Sequence, residues 1–205
     1  RQVEIRVVQD EAATREGMLD ALEWIVRQTT ARDVAMVFMA GHGVNDATGE
    51  YFFLPHDANL DRLARSSLAQ SDIRRSLMQV PGKALFFVDT CHSGQIMASR
   101  RALPPDIGRF VEALATAENS LVVFSASTGR QFAVEDTRWS NGAFTKALLE
   151  GLSGEADYKK DRVITVNELD LYLSERVKEL TGGRQSPTSA KPASTQDFPI
   201  AAVRR

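Results

Sequence analysis

The chain has 205 residues, of which 43% are hydrophobic and 25% are charged, and its formal net charge is −2. This length suits one domain with a sizeable core, and the composition excludes a disordered or a membrane-spanning chain. No apolar run approaches the ~20 residues of a transmembrane helix, and the N-terminal residues lack signal-peptide character. The small charge gives no electrostatic reason to expect a nucleic acid or an anionic membrane as partner.

The first predicted elements alternate between strand and helix. Residues 3–9 alternate apolar and charged side chains, which predicts a strand. Arg15–Gln28 carries apolar residues at helical spacing, with Thr14 as the predicted N-cap. An apolar run over residues 34–40 predicts a buried strand that ends in Gly41-His42-Gly43. Strand, helix and strand in this order indicate a βαβ unit and a parallel sheet.

A second buried strand is predicted over residues 84–91, and it ends in Asp89-Thr90-Cys91. The other predicted elements are a short strand over 51–55, helices over 71–79, 106–118, 141–152 and 165–180, and strands over 120–127 and 198–203. The segment 181–195 is rich in Gly, Ser, Thr and Pro and is predicted to be extended or mobile. We see no domain boundary, so residues 1–205 are predicted to form a single α/β domain.

Cysteine and histidine usage points to one kind of chemistry. The sequence contains one cysteine, Cys91, and three histidines, His42, His56 and His92. One cysteine excludes an internal disulfide and any multi-cysteine metal site, and we predict no metal site. It also favours a reducing compartment, so we expect a cytoplasmic protein.

His42 and Cys91 each follow a buried strand, at the sheet edge where α/β proteins bind their ligands. A thiolate at Cys91 would be the nucleophile, and the His42 imidazole would stabilise it and then protonate the leaving amine. Backbone N–H groups of Gly43 and Cys91 are the candidate oxyanion donors. His92 is a poorer base because its side chain diverges from that of its neighbour Cys91, and His56 falls in a polar loop.

Ala40-Gly41-His42-Gly43 and Asp89-Thr90-Cys91-His92-Ser93-Gly94 resemble the two catalytic motifs of the caspase-like cysteine peptidases (clan CD, family C14). They are more similar to metacaspases and bacterial orthocaspases than to animal caspases. His42 and Cys91 are 49 positions apart (91 − 42), close to the spacing of caspases. The resemblance covers most of the chain. It implies a caspase-like sandwich, with a mainly parallel sheet between helices and catalytic residues at the C-terminal ends of strands.

Substrate preference is predicted from Asp89, two residues before Cys91, where animal caspases carry a glutamine in a pocket that accepts aspartate. A carboxylate there would favour a cationic P1 side chain, and Arg can be held bidentately. The resemblance to metacaspases implies the same preference for Arg or Lys. Ser125 and Ser127 are weaker candidates for the same pocket, and the alternative for Asp89 is capping of backbone N–H groups at the strand end.

Two departures from the family pattern bear on this reading. The resemblance implies an earlier strand, loop and helix upstream of residue 3, which in metacaspases contribute a second acidic S1 residue and are lacking here. Some metacaspases need calcium. We predict no required cofactor and leave calcium activation open, because the loop carboxylates Asp57 and Asp61 make a weak hard-cation site and are better explained as solvated charge.

Residues 95–105 form a predicted exposed loop after the nucleophile, where caspase-like enzymes are commonly processed. Arg100 and Arg101 are therefore candidate autoprocessing sites, and an ordinary solvated basic loop is the alternative. Flanking regulatory domains in a longer chain are also consistent with the resemblance.

The sequence thus predicts a cysteine endopeptidase that cleaves peptides or proteins after Arg or Lys with a Cys–His dyad. Two alternatives stay open at this point. One is a caspase-like module that only binds partners. The other is a different enzyme on the same scaffold, either an acyltransferase or a peptidase with narrow substrate choice.

Overall fold

The computed structural model describes residues 2–91, 106–115, 121–126, 135–136 and 141–203. The helices are α1 (Arg15–Gln28), α2 (Leu63–Ser66), α3 (Gln70–Met78), α4 (Ile107–Ala115), α5 (Ala143–Glu150) and α6 (Val166–Thr181). The strands are β1 (Val34–Asn45), β2 (Tyr51–Leu54), β3 (Leu68–Ala69), β4 (Lys83–Cys91), β5 (Leu121–Ser125), β6 (Glu135–Asp136), β7 (Asn141–Gly142), β8 (Val163–Thr165), β9 (Thr188–Ala190) and β10 (Pro199–Ala202). No helix among these residues is both long and apolar enough to cross a membrane.

Six strands form one mixed sheet in the order β3-β2-β1-β4-β5-β9. The pairing of β4 with β5 is parallel, as the sequence predicts, and it aligns Val88 with Ser125. The pairings of β1 with β2, β2 with β3, and β5 with β9 are antiparallel. The predicted α/β architecture with helices beside the sheet is therefore confirmed, with antiparallel strands added at both ends of the sheet.

The chain forms two compact units, and β1 contributes residues to both. In the first unit, residues 42–45 of β1 pair with β2, and α1 packs against α3. The guanidinium group of Arg15 joins these helices, because it donates to Asp72 Oδ2 at 3.0 Å and to the Ser67 carbonyl at 2.9 Å. That residues 1–205 form a single domain stays a prediction.

The second unit is built on β4 and β5, whose side chains pack on both faces of the sheet. Phe86 of β4 meets Phe110 of α4 edge to face, with ring centroids 6.1 Å apart. Phe87 stacks on Phe124 of β5 at 5.1 Å. Successive strand residues face opposite sides of a sheet, so these two contacts mark its two faces. Helices α5 and α6 of this unit pack against each other.

Local capping explains why two of the helices begin where the sequence predicts. The Thr14 side chain accepts a hydrogen bond from the Gly17 amide at the start of α1. Thr165 and Glu168 form a reciprocal capping box at the start of α6. Each cap satisfies backbone N–H groups that have no partner within the first helical turn.

Two segments differ from the predictions. The prediction of a strand over residues 3–9 is wrong, because these residues form no strand and Val3, Ile5 and Val7 are exposed. Conversely, the segment 181–195 contains a strand, β9, which pairs with β5. The last strand, β10, pairs with β8 in a separate two-stranded sheet.

Candidate functional site

His42 lies on β1, beyond the apolar part of that strand, in register with Leu54 of β2. Its side chain is exposed, whereas Gly43 and Val44 after it are buried. The strand continues past the histidine to Asn45, so His42 is held by a hydrogen-bonded ladder and not by a free loop. This backbone gives the imidazole a fixed starting position and leaves it accessible to solvent.

The two glycines that flank His42 lie under aromatic rings of β2. A Cβ atom at Gly43 would lie 2.5 Å from Cε2 of Tyr51, and one at Gly41 would lie 2.8 Å from Cζ of Phe53. Both distances are shorter than any tolerable van der Waals contact. Tyr51 and Phe53 are 1% and 3% exposed, so they have little room to move. Close packing against β2 therefore requires glycine on both sides of the histidine.

Asp89 lies two residues before the end of β4 and is 6% exposed. Its Oδ2 accepts a hydrogen bond of 2.6 Å from the Thr145 hydroxyl, in the first turn of α5. Gly142 lies directly before that helix, and a Cβ there would be 3.2 Å from the same oxygen. A carboxylate at a helix N-terminus is also favoured by the helix dipole. The first turn of α5 therefore positions the Asp89 side chain.

Ser125 ends β5 and is 2% exposed. The parallel register aligns it with Val88, and side chains that are aligned across a sheet share a face. Asp89 follows Val88 and so belongs to the opposite face, the face of the Phe87–Phe124 stack. This register argues against Ser125 sharing a pocket with Asp89.

Gln185 is a buried residue that the sequence did not single out. It is fully buried, and its Nε2 donates to the Ala126 carbonyl, directly after β5, at 2.8 Å. Its own amide donates to the Thr181 hydroxyl at 3.1 Å, which links it to the end of α6. Gln185 therefore holds the end of β5, from which the chain continues to Ser127. A glutamine in a polar, Pro-containing segment carries no sequence signal for such a contact 59 residues away.

Several predicted residues fall wholly or partly outside the described structure. Backbone placement confirms that β4 ends at Cys91, but its side chain lies outside the described part. His92, Ser127, Arg100 and Arg101, with the rest of the loop 95–105, also lie outside it.

Asp57 and Asp61, the two residues considered for calcium, both take part in local hydrogen bonds. Asp57 Oδ1 accepts a hydrogen bond of 2.9 Å from the Arg15 amide, so it caps the start of α1. The amide of Asp61 donates to the Asn59 side chain in a short turn. Within the described residues no group of three or more His, Cys, Asp or Glu side chains could hold a metal ion. That no cofactor is required stays a prediction, and calcium activation stays open.

Comparison with known families places the chain among peptidases. The sequence profile of the caspase domain, peptidase family C14, matches residues 1–199. The chain therefore belongs to the caspase-domain family, which is a family of cysteine peptidases. No curated protein sequence gives a significant match.

Solved structures with the same fold are distant in sequence. A protein from Geobacter sulfurreducens is 21% identical, with a TM-score of 0.61 over 95% of this chain and 81% of that one. The structure of pro-sf-caspase-1 is 13% identical, with a TM-score of 0.54 over 93% of this chain and 73% of that one. At these identities the likeness establishes the fold alone, which is caspase-like.

Proposed function

We propose that this chain is a cysteine endopeptidase that uses Cys91 as nucleophile and His42 as general acid and base. One observation carries the proposal: the single cysteine of a caspase-domain chain lies at the end of β4. The Cys91 thiolate attacks the scissile carbonyl, and the C–N bond breaks as His42 protonates the amine. Water then hydrolyses the thioester, with His42 accepting its proton.

The developing oxyanion is stabilised by the amides of Gly43 and Cys91. Support for Gly43 comes from its packing, because the Tyr51 ring fixes the backbone immediately after the histidine. A donor that is held in place before the reaction needs no reorganisation when the negative charge forms.

Asp89 selects Arg or Lys at P1 in this proposal, which places the enzyme in the metacaspase and orthocaspase branch. A carboxylate that is 6% exposed is costly unless hydrogen bonds or a cation compensate its charge. The Thr145 hydroxyl supplies part of this compensation and fixes the direction of the carboxylate. A cationic P1 side chain would be a further partner of this carboxylate, and Arg would bind it through two parallel hydrogen bonds.

We also propose that the enzyme cleaves its own chain after Arg100 or Arg101, because both are basic residues that follow the nucleophile in sequence. A wild-type chain incubated at enzyme-assay concentration is expected to be cut there, while Cys91→Ala stays intact. Mass spectrometry of the two chains checks this, and an intact wild-type chain after prolonged turnover would remove autoprocessing from the proposal. The thiol nucleophile also suits a reducing, cytoplasmic setting.

Fluorogenic peptides that differ only in Arg, Lys or Asp at P1 test the proposal, with and without calcium. We expect cleavage after Arg and Lys, with kcat/KM reduced at least about 10³-fold by Cys91→Ala and about 10²–10⁴-fold by His42→Ala. His56→Ala is the matched control, because His56 is an exposed histidine in the same unit and should leave activity intact.

Any other outcome contradicts one part of the proposed function. Cleavage after Asp retains the peptidase and removes Asp89 as the selector of basic residues. Cleavage without a basic preference favours a peptidase of other, narrow choice. No cleavage, together with iodoacetamide labelling of Cys91 at the rate of an ordinary thiol, favours a module that only binds partners.

A further inference from the structure

The segment that joins α5 to α6 has the residue spacing of an EF-hand calcium loop. Such loops have twelve residues and take oxygen ligands from positions 1, 3, 5, 7, 9 and 12, with glycine at position 6. Counted from Asp157 as position 1, Asp161 falls at position 5, Thr165 at position 9 and Glu168 at position 12. The flanking elements also correspond, because a helix precedes the loop and α6 begins within it.

Two positions depart from the calcium-binding pattern. Position 6 is Arg162, and its φ angle of 66° is the left-handed conformation for which glycine is normally used. Position 3, which normally supplies an oxygen ligand, is Lys159. The chain thus keeps the turn of a calcium loop and replaces one of its anionic ligands by a cation.

The backbone of the loop folds around the first carboxylate. Oδ1 of Asp157 accepts the Asp161 amide at 3.1 Å, and Oδ2 accepts the Arg162 amide at 2.9 Å. Oδ1 of Asp161 in turn accepts the Val163 amide at 2.9 Å. The acidic side chains at positions 1 and 5 are therefore turned towards the loop backbone.

The carboxylate at position 12 closes the loop. Glu168 is 6% exposed and accepts the Thr165 amide at 3.0 Å and the Lys159 amide at 3.2 Å. Burial alone would raise the pKa of Glu168, but the hydrogen bonds from Thr165 and Lys159 and the nearby ammonium lower it below the usual value. The ammonium nitrogen of Lys159, whose side chain is 56% exposed, lies 3.7 Å from Glu168 Oε2. The cation that faces this ionised carboxylate thus belongs to the chain itself.

We propose that the Lys159 ammonium takes the place of the calcium ion in this loop, so that α5 and α6 are joined without a metal. An ammonium is a compact positive charge, so it can neutralise Glu168. A calcium ion would need the oxygen ligand that position 3 lacks, and it would be repelled by the lysine.

The replacement has a consequence for the Asp89 carboxylate, and this consequence alone rests on the proposed function. Thr145, which donates to Asp89, lies in the first turn of α5, the helix that leads into the loop. A loop that is closed by its own lysine holds this helix at any calcium concentration. The preference for basic P1 residues should then be independent of calcium supplied to this loop.

The test restores the two calcium-loop features, the position 3 oxygen ligand and the position 6 glycine, in the 205-residue chain. Lys159→Asp with Arg162→Gly supplies the position 3 carboxylate and the position 6 glycine. Calcium alone is the probe in thermal unfolding, and Tb³⁺ luminescence excited through Tyr158, at position 2 of the loop, is the second readout. Lys160→Asp is the matched control for the Lys159→Asp change, because it makes the same charge change at position 4, which is not a ligand position.

Without calcium, the double variant should unfold at a lower temperature than the wild type, because four carboxylates then face one another. About 10 mM calcium should raise its Tm by about 5 °C, which is the shift expected when the calcium concentration is about 100 times the Kd. The Tm of Lys160→Asp should not respond to calcium beyond any shift of the wild type. If the double variant is unfolded without calcium, its refolding when calcium is added supports the proposal in the same way as the rise in Tm.

A second variant keeps the proposal testable without any engineered site. Lys159→Met retains the length of the stem and removes the charge, and its Tm should fall by about 2–4 °C with no recovery in calcium. A wild-type Tm for Lys159→Met would overturn the proposal, as would a double variant that binds neither calcium nor Tb³⁺. A calcium response of the wild type that Glu168→Gln abolishes would also overturn it. None of these readouts requires peptidase activity, so they can fail or succeed separately from the proposed function.

Discussion

His42 and Asp89 both lie within the last four residues of their strands, but their surroundings hold them in different ways. His42 is exposed, and the backbone around it is fixed by the apolar rings that cover Gly41 and Gly43. Asp89 is buried, and its side chain is fixed by a hydrogen bond from α5. Shape therefore controls the first position and polar contacts control the second. Substitutions that add volume should damage the first, and substitutions that remove a donor should damage the second.

The largest effect is expected from Gly43→Ala. The added methyl group would lie 2.5 Å from a carbon of the buried Tyr51 ring, so β1 and β2 must separate locally. We expect a loss of about 3 kcal/mol in the free energy of unfolding. A loss of activity greater than the fraction of unfolded protein explains should accompany it. Urea unfolding and peptide hydrolysis on the same preparation measure both quantities.

Tyr51→Leu is the companion variant, because a shorter side chain leaves space for the alanine. In a double-mutant cycle, Gly43→Ala should cost less in the Tyr51→Leu background than in the wild type. Strictly additive effects would show that contact with the ring is not the reason for glycine at this position.

Thr145→Val should weaken the polar contacts that hold Asp89 and leave the packing around His42 unchanged. The variant keeps the shape of the side chain and removes the donor to the Asp89 carboxylate. Loss of a hydrogen bond to a charged group costs about 1.5–3 kcal/mol. On the proposed function, KM for Arg peptides should rise about 10-fold or more, with a smaller change in kcat. Steady-state kinetics with paired Arg and Asp substrates measure this split.

Thr145→Ser restores the hydroxyl and should recover most of the Arg preference. If Thr145→Val destabilises the fold while the ratio of Arg to Asp cleavage stays constant, the hydrogen bond supports structure only. The role of Asp89 as selector would then need another positioning group.

Local packing patterns could be predicted from the sequence, whereas long-range polar contacts could not. Strands β1, β4 and β5 and helix α1 follow from apolar runs, helical spacing and a threonine cap, all of which are local patterns. The contact of Thr145 with Asp89 spans 56 residues, and that of Gln185 with Ala126 spans 59. Long-range polar contacts of this kind leave no periodic signal, because any polar residue of suitable size would give the same local pattern.

The glycines beside His42 have a packing role that the sequence alone does not indicate. The sequence predicts only that the Gly43 N–H is an oxyanion donor, whereas in the structure the rings of β2 give a packing reason for both glycines. For the segment 3–9 the prediction is wrong. Its alternation of apolar and charged residues suits a strand, but a strand also needs a hydrogen-bonded neighbour, and none of the described residues provides one.

A smaller effect is expected at the ion pairs that join α5 to α6. Glu150 accepts from Arg176 Nε at 2.8 Å and lies 2.7 Å from the Lys146 ammonium. The hydrogen bond from Arg176 is the main reason that the pKa of Glu150 falls from 4.5 to about 2. A carboxyl group whose pKa is lowered by folding stabilises the protein above its unfolded value, and this contribution is lost as it becomes protonated. Stability from Glu150 should therefore be complete above pH 4.5 and disappear progressively towards pH 2.

Glu150→Gln should lower the free energy of unfolding at neutral pH by about 1–2 kcal/mol, allowing for partial exposure of the pair. Glu179→Gln is the matched control: Glu179 bonds to the same arginine but is 71% exposed, so the loss of stability should be smaller.

Hydrogen exchange between pH 5 and pH 3 compares the region of α5 with the region around Gly43 in one molecule, after correction for the intrinsic effect of pH on exchange. Amides of α5 should lose protection because Glu150 becomes protonated in the opened state, where its pKa is the ordinary 4.5, while those of β1 and β2 around Gly43 should keep theirs. Equal loss of protection in both regions would mean that the fold opens as one cooperative unit, and polar support of Asp89 could not then be separated from apolar support of His42.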